Sequence, residues 1–157
     1  MKNIIRFIAS VALPLVVGGI AGFFTASSVN TWFGTLEKPS FNPPAWLFGP
    51  VWTVLYIMMG IAFYLVWTKA SNERLKKTAF TFYFVQLALN FAWSFLFFYS
   101  KQPGWAFVDI VALWLLIIAT IYWFAKAYKP SAWLLVPYLA WVSFASVLNF
   151  SIWQLNS

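Results

Sequence analysis

Residues 46–68 read WLFGPVWTVLYIMMGIAFYLVWT, 23 consecutive residues with no charged side chain. The hydrocarbon core of a bilayer is about 30 Å thick and takes roughly 20 apolar residues of α-helix to cross, so this run is a membrane span. On either side of it, four more stretches meet the same condition: Ile4–Ala26, Thr78–Tyr99, Trp105–Ala125 and Trp133–Leu155. The composition agrees, with 63% hydrophobic, 23% aromatic and only 8% charged residues, far from the balance of a soluble domain. What remains is an N-terminal stub, four connections and a two-residue tail, too little for a separate soluble unit. The sequence therefore predicts an all-α integral membrane protein, one five-helix domain over residues 1–157, whose function lies within or between its helices.

The competing reading of the N-terminus is a cleaved leader, since Lys2 and Arg6 precede an apolar run ending near Ala26, Ser27 and Ser28. That run is longer than the roughly 7–15 residues of a leader core. Its Gly18, Gly22 and Ala26 have the small-xxx-small spacing of packed membrane helices, and it is read as a retained first span.

The net charge of +7 does not indicate a nucleic-acid partner, because the basic residues sit at span ends. Lys2, Arg6, Lys69, Arg74, Lys76, Lys77, Lys126 and Lys129 share one side, against Lys38 and Lys101 on the other. The positive-inside rule assigns the larger set to the cytoplasm. The expected location is a bacterial cell membrane with the N-terminus cytoplasmic, where membrane lipids are partners and Lys69–Lys77 can attract anionic headgroups.

Cysteine and histidine are both absent, which removes disulfides, thiolate chemistry and the commonest metal and haem ligands. No metal site and no bound cofactor are expected. The acids are Glu37, Glu73 and Asp109, with no neighbouring pair for general acid/base work. Asp109, about one turn inside the fourth span, is read as complementing the helix dipole.

Several faces could line a cavity. Trp52, Tyr56, Met59 and Phe63 follow one another at helical spacing along the second span. On the third, Gln86, Asn90 and Ser94 recur every four residues; such a polar stripe avoids lipid and serves either as glue between helices or as donors to a ligand. Trp93 and Phe97 flank it. On the fifth, Pro137, Trp141, Phe144 or Ala145, and Leu148 share a face, with Trp141 near mid-span. A pocket of Trp52, Trp93 and Trp141 around Asn90 would suit a flat aromatic ligand held by ring stacking and a few hydrogen bonds. The first connection, Ser27 to Ala45, is long, stiffened by Pro39, Pro43 and Pro44 and weighted with Trp32, Phe33, Leu36 and Phe41; it reads as a semi-rigid lid. Gly18 with Gly22, or Ala88 with Ala92, could form a dimer contact, and Pro14 and Pro137 are expected to mark bends inside spans.

The segment TWFGTLEKPSFNPPAWLFGPVWTVLY (31–56) closely resembles the signature of the tryptophan-rich sensory protein (TspO) and translocator protein family, also called the peripheral-type benzodiazepine receptor family. The likeness continues through QLALNFAWSFLFF (86–98), VDIVALW (108–114) and PYLAWVSFASVLNF (137–150), so it covers nearly the whole chain. The resemblance implies five tightly packed helices, commonly dimeric, and a pocket under the first loop that binds porphyrins and benzodiazepine-site ligands. Carried over by position, the pocket takes Trp52, Asn90, Ser94, Trp141 and Ala145, with Phe33, Pro43, Pro44, Trp46 and Phe48 at the loop and mouth. Tyr56, Trp93, Phe144 and Leu148 join from the helical faces above. At the sterol-recognition positions of mitochondrial relatives stand Phe150 and Gln154, without hydroxyl or cation, so weak cholesterol binding is expected.

Three functions follow from the resemblance. The first is a receptor or sensor that binds protoporphyrin-like tetrapyrroles and regulates tetrapyrrole or stress responses; with no histidine or cysteine, Tyr56 or Met59 would have to supply any axial ligand. The second is a light- and oxygen-dependent porphyrin-degrading enzyme in which Trp52 and Trp141 carry the chemistry. The third is a transporter of tetrapyrroles or other amphipathic molecules, disfavoured by an odd span count and the lack of an inverted repeat.

Overall fold

The computed structural model describes residues 1–157 and contains only helices and connections. Helix α1 spans Lys2–Val29, a short α2 Trp32–Thr35, α3 Ala45–Lys69, α4 Glu73–Ser94, α5 Pro103–Ala127, a short α6 Lys129–Trp133 and α7 Val136–Leu155. Five helical stretches are long and apolar enough to cross a membrane, and each predicted span falls within one of them. Helix α4 starts five residues before its predicted span because the Asn72 side chain caps it, accepting a hydrogen bond from the Leu75 amide at 3.1 Å.

Helices α1 and α3 meet backbone to backbone at Gly60. A Cβ on Gly60 would stand 2.5 Å from Val11 Cα and 2.7 Å from the Ser10 carbonyl oxygen, so only glycine allows the approach. Pro14 lies inside α1 and has no N–H to give the Ser10 carbonyl four residues earlier. That carbonyl instead faces the Cα hydrogen of Gly60, a weak but recurrent contact between helices. The second close contact is Gly18 against the Tyr56 ring, where a Cβ would lie 2.3 Å from Cε2. Gly18 is thus used inside the bundle, whereas Gly22 has nothing within 4 Å of its Cβ position and Ala88 is exposed.

Three expectations are corrected. The fifth span is not one continuous helix from Trp133: a turn at Leu134 and Leu135 separates α6 from α7. Pro137 stands in the first turn of α7, where its missing N–H leaves no internal bond unmade; it starts a helix and does not bend one. Asp109 lies nearly two turns inside α5, which begins at Pro103, beyond the first-turn amides that carry the dipole's positive end. One of its carboxyl oxygens is buried without a partner.

The third span ends in a π-helical turn, Phe95–Tyr99. The last carbonyls of this turn have no partner within the helix, and one of them, Phe98 O, accepts from the Ser28 hydroxyl at the end of α1 at 2.7 Å. Such turns are often found at functional sites; here it brings Phe97 and Phe98 under the first loop. Phe33 of α2 is buried against both rings, at 6.0 and 5.6 Å. From Leu36 to Pro44 the loop carries no helix. It is tied to the C-terminal end of α7, where the Asn156 side chain accepts from the Glu37 amide and donates to the Glu37 carbonyl, both at 2.9 Å.

Candidate functional site

Trp52 is the centre of an aromatic assembly. Its ring lies 5.6 Å from Tyr56 in a stacked pair, 6.4 Å from Trp93, 6.4 Å from Tyr138 and 6.5 Å from Trp141, the last at right angles. On one side of it is a cavity of 410 Å³ bounded by α1, α3 and the end of α4, a size within the range of small-molecule pockets. Its lining includes Phe33, Phe48, Trp52, Tyr56, Trp93 and Ser94 of the expected site residues. Most of the rest of the wall is small, with Gly18, Gly19, Ala21, Gly22 and Ala26 from α1 and Ala45, Gly49 and Thr53 from α3; Leu15, Thr25, Val29 and Phe98 complete it.

The remaining expected residues are not gathered there. Asn90 is buried behind Tyr56, whose hydroxyl donates to Asn90 Oδ1 at 2.8 Å. Asn90 Nδ2 donates to the Tyr138 hydroxyl at 2.8 Å, and that hydroxyl donates to Gln86 Oε1 at 2.7 Å. The polar stripe is therefore divided: Gln86 and Asn90 bond α4 to α3 and α7, while Ser94 alone lines the cavity. Its hydroxyl, in a residue 8% exposed, makes none of the side-chain hydrogen bonds that Ser143, Ser146 and Ser151 make to carbonyls four residues back.

Trp141 sits on the opposite side of Trp52, packed against Phe48 at 6.1 Å and Phe144 at 5.5 Å. Its indole N–H is buried without an acceptor. Phe144 meets Phe41 of the loop at 6.2 Å, Ala145 is part of the main core, and Leu148 belongs to a smaller cluster with Phe33 and Phe97. Pro44 caps α3 and is exposed, Pro43 is half-buried, and Trp46 is 71% exposed at the rim, in the manner of an interfacial anchor. The single pocket expected around Trp52, Asn90 and Trp141 is thus split: Asn90, Gln86 and the two tyrosines satisfy one another, and the void lies where α1 presents mostly glycine and alanine.

Neither proposed axial ligand is presented to the cavity. The Tyr56 hydroxyl is engaged by Asn90, and Met59 is fully buried with its sulfur 3.9 Å from Gln86 Nε2. The arrangement can stack a flat ring and offer one hydroxyl; it has no acid, base or nucleophile to add. Trp93, also in the wall, is fixed by donating Nε1–H to Asn149 Oδ1 at 2.9 Å, with Asn149 Nδ2 donating to Pro103 O at 2.8 Å.

Residues 10–154 match the model of the TspO/MBR family. The chain belongs to that family. It is 47% identical to the Tryptophan-rich protein TspO of Archaeoglobus fulgidus over 157 residues, covering 99% of each chain. It is 45% identical to the protein of the same name from Chlorobaculum tepidum, over 99% of this chain and 98% of that one. The Translocator protein of Homo sapiens is 41% identical over 126 residues, 80% of this chain and 75% of its own. With five membrane-length helices and TspO/MBR membership, the chain is an integral, multi-pass membrane protein. The TspO/MBR match extends through the α1 residues that leave the cavity open, which were readable in the sequence as small-residue packing but not as a wall.

Proposed function

We propose that this protein is a membrane receptor for flat, tetrapyrrole-class molecules, and for synthetic ligands of the benzodiazepine site, which it holds against Trp52 and Trp93 to report tetrapyrrole or stress status. The observation that carries this reading is the cavity itself: an apolar space with two indoles in its wall and one free hydroxyl, Ser94, for orientation. Stacking supplies affinity and needs no metal, so free-base porphyrin competes well with haem. Quenching of tryptophan fluorescence by protoporphyrin tests it. Trp52→Leu should weaken binding about tenfold, a loss of about 1.4 kcal/mol, and Ser94→Ala about threefold; unchanged affinity in Trp52→Leu would sink the reading.

One geometric feature favours a second reading, light- and oxygen-dependent porphyrin breakdown. Trp141 is 6.5 Å from Trp52, so two redox-active indoles stand side by side next to the bound pigment; light-driven addition of dioxygen across a pigment double bond supplies both oxidising equivalents, and the indoles relay an electron within the excited complex with no net oxidation of their own. Porphyrin absorption should then bleach more slowly under light in Trp141→Phe; equal bleaching would remove the enzymatic role. The charge distribution supports a cytoplasmic N-terminus, with eight basic residues at one end and Lys38 and Lys101 at the other. For a homodimer, the outward face of α4 carrying Phe84, Val85 and Ala88 is the better candidate, since Gly18 is engaged by Tyr56.

A further inference from the structure

The cavity beside Trp52 is closed on the loop side and open toward the bilayer. Phe33 is buried over it, and Asn156 holds the loop at Glu37. Along its flank, however, the lining residues Gly19, Gly22 and Ala26 of α1 and Ala45, Gly49 and Thr53 of α3 are all exposed. A Cβ at Gly19, Gly22 or Gly49 would touch nothing within 4 Å, so the two rows of small residues border a slit. Bulky apolar residues flank it and face the lipid: Ile20 and Phe23 on α1, Val54 and Ile57 on α3. The α1 part of the lining runs from Leu15 to Val29, roughly 21 Å at 1.5 Å per residue. The slit therefore follows one leaflet from the loop-side interface to about mid-membrane.

A second feature points to an occupant. Ser94 is more than nine-tenths buried, lines the cavity, and keeps its hydroxyl unpartnered; of the other helical serines only Ser10, which is not in the cavity lining, also lacks a partner. A free hydroxyl deep in an apolar space whose flank opens to lipid is suited to a molecule that dissolves in lipid and carries an acceptor at its edge.

We propose that the slit between α1 and α3 is the route by which a flat, bilayer-dissolved aromatic molecule reaches Trp52 from the loop-side leaflet, while the loop stays closed. The route builds on the ligand reading given above, but its test does not need porphyrin. The chain has no cysteine, so Ser94→Cys places a single thiol inside the cavity. In lipid nanodiscs, with each rate normalised to that of Ser157→Cys at the exposed tail, an uncharged bilayer-soluble maleimide should label Cys at position 94 at least ten times faster than a charged, membrane-impermeant one. Adding Gly22→Leu and Gly49→Leu should slow the uncharged reagent at least tenfold, and the smaller pair Gly22→Ala and Gly49→Ala should slow it in part, which covers the case in which the leucine variant does not fold. Adding Asn156→Ala, which loosens the loop, should change neither rate by more than twofold. Equal rates for the two reagents, or acceleration by Asn156→Ala with no effect of the glycine substitutions, would overturn the proposal in favour of access past the loop. A protein that labels as expected but takes up no porphyrin would overturn the ligand reading and leave the slit standing.

Discussion

On one side of Trp52 the wall is mostly glycine and alanine from α1; on the other it is Trp141 and Tyr138, whose hydroxyl bonds both Asn90 and Gln86. The two sides differ in every respect that packing can differ. Within the most apolar window of α1 only 17% of residues are buried, against 39% in the helical stretch that contains α7. The α7 side is dense and its polar atoms form a chain across three helices; the α1 side has few polar atoms and leaves a void. In lipid, apolar burial does little to draw helices together, so contact depends on close fit and on polar groups finding one another. Where those groups exist they are consumed by structure, and the void is left where the side chains of α1 are mostly small.

The largest effect should come from adding one methyl group where the two sides are joined. Gly60→Ala puts a Cβ against backbone atoms of Ser10 and Val11 that cannot swing aside, and such overpacking costs about 2–3 kcal/mol. Gly22→Ala meets open space and, with the helix preference for alanine, should change stability by no more than about 1 kcal/mol. Thermal unfolding in the same detergent compares them. Equal melting temperatures would mean that the close approach of α1 and α3 does not hold in the folded protein.

Next in size is the polar chain. Asn90→Leu removes two cross-helix hydrogen bonds, and from the measured worth of such bonds in membranes it should cost roughly 1–2 kcal/mol. Because Asn90 is behind Tyr56 and not in the wall, ligand affinity should stay within about threefold, under ~0.7 kcal/mol. Ser94→Ala should do the opposite, leaving stability almost unchanged while weakening binding. A large affinity loss in Asn90→Leu with intact stability would move the site to the α7 side.

How much of this the sequence discloses can be judged from these same residues. The five spans are legible because the length of an apolar run is set by bilayer thickness and by nothing else in the fold. The stripe Gln86, Asn90 and Ser94 is legible as inward-facing for a similar reason. Its division is not: whether an inward amide meets a tyrosine or a ligand depends on which helix stands opposite, and Tyr56 and Tyr138 are 34 and 48 residues away from Asn90. The roles of Gly18 and Gly22 show the same limit. They have one spacing and one composition, yet the first is filled by Tyr56 and the second borders a gap. The π-helical turn at Phe95–Tyr99 has no sequence mark among so many aromatic residues, and the Ser28 bond to Phe98 O that accompanies it joins positions 70 residues apart.

Two indoles give a finer version of the comparison. Trp93 donates to Asn149, while the Trp141 N–H is buried without an acceptor. Trp93→Phe loses a hydrogen bond and strands an amide oxygen, at about 1–2 kcal/mol. Trp141→Phe removes an unpaired polar group, which offsets the smaller ring, so it should be within about 1 kcal/mol of the parent. The order of the two melting temperatures is the check, and reversal would mean that Trp141 has a bonding partner in the membrane-embedded protein.

The smallest expected effect concerns the loop. Asn156 reaches the backbone of Glu37 with two hydrogen bonds in an exposed setting, where water competes and the net worth of each is about 0.5 kcal/mol. Asn156→Ala should therefore lower the melting temperature very little, yet it should raise hydrogen exchange at the Glu37 amide several-fold, since that amide has no other acceptor within the chain. The two readouts separate a local tie from a global one. If exchange rises and ligand uptake does not, the loop closes the cavity without governing it, and control belongs to the glycine-bordered side of Trp52. If uptake rises together with exchange, the tie is itself a gate, and the contrast between the closed and open sides of the cavity is one of loop mobility and not of side-chain size.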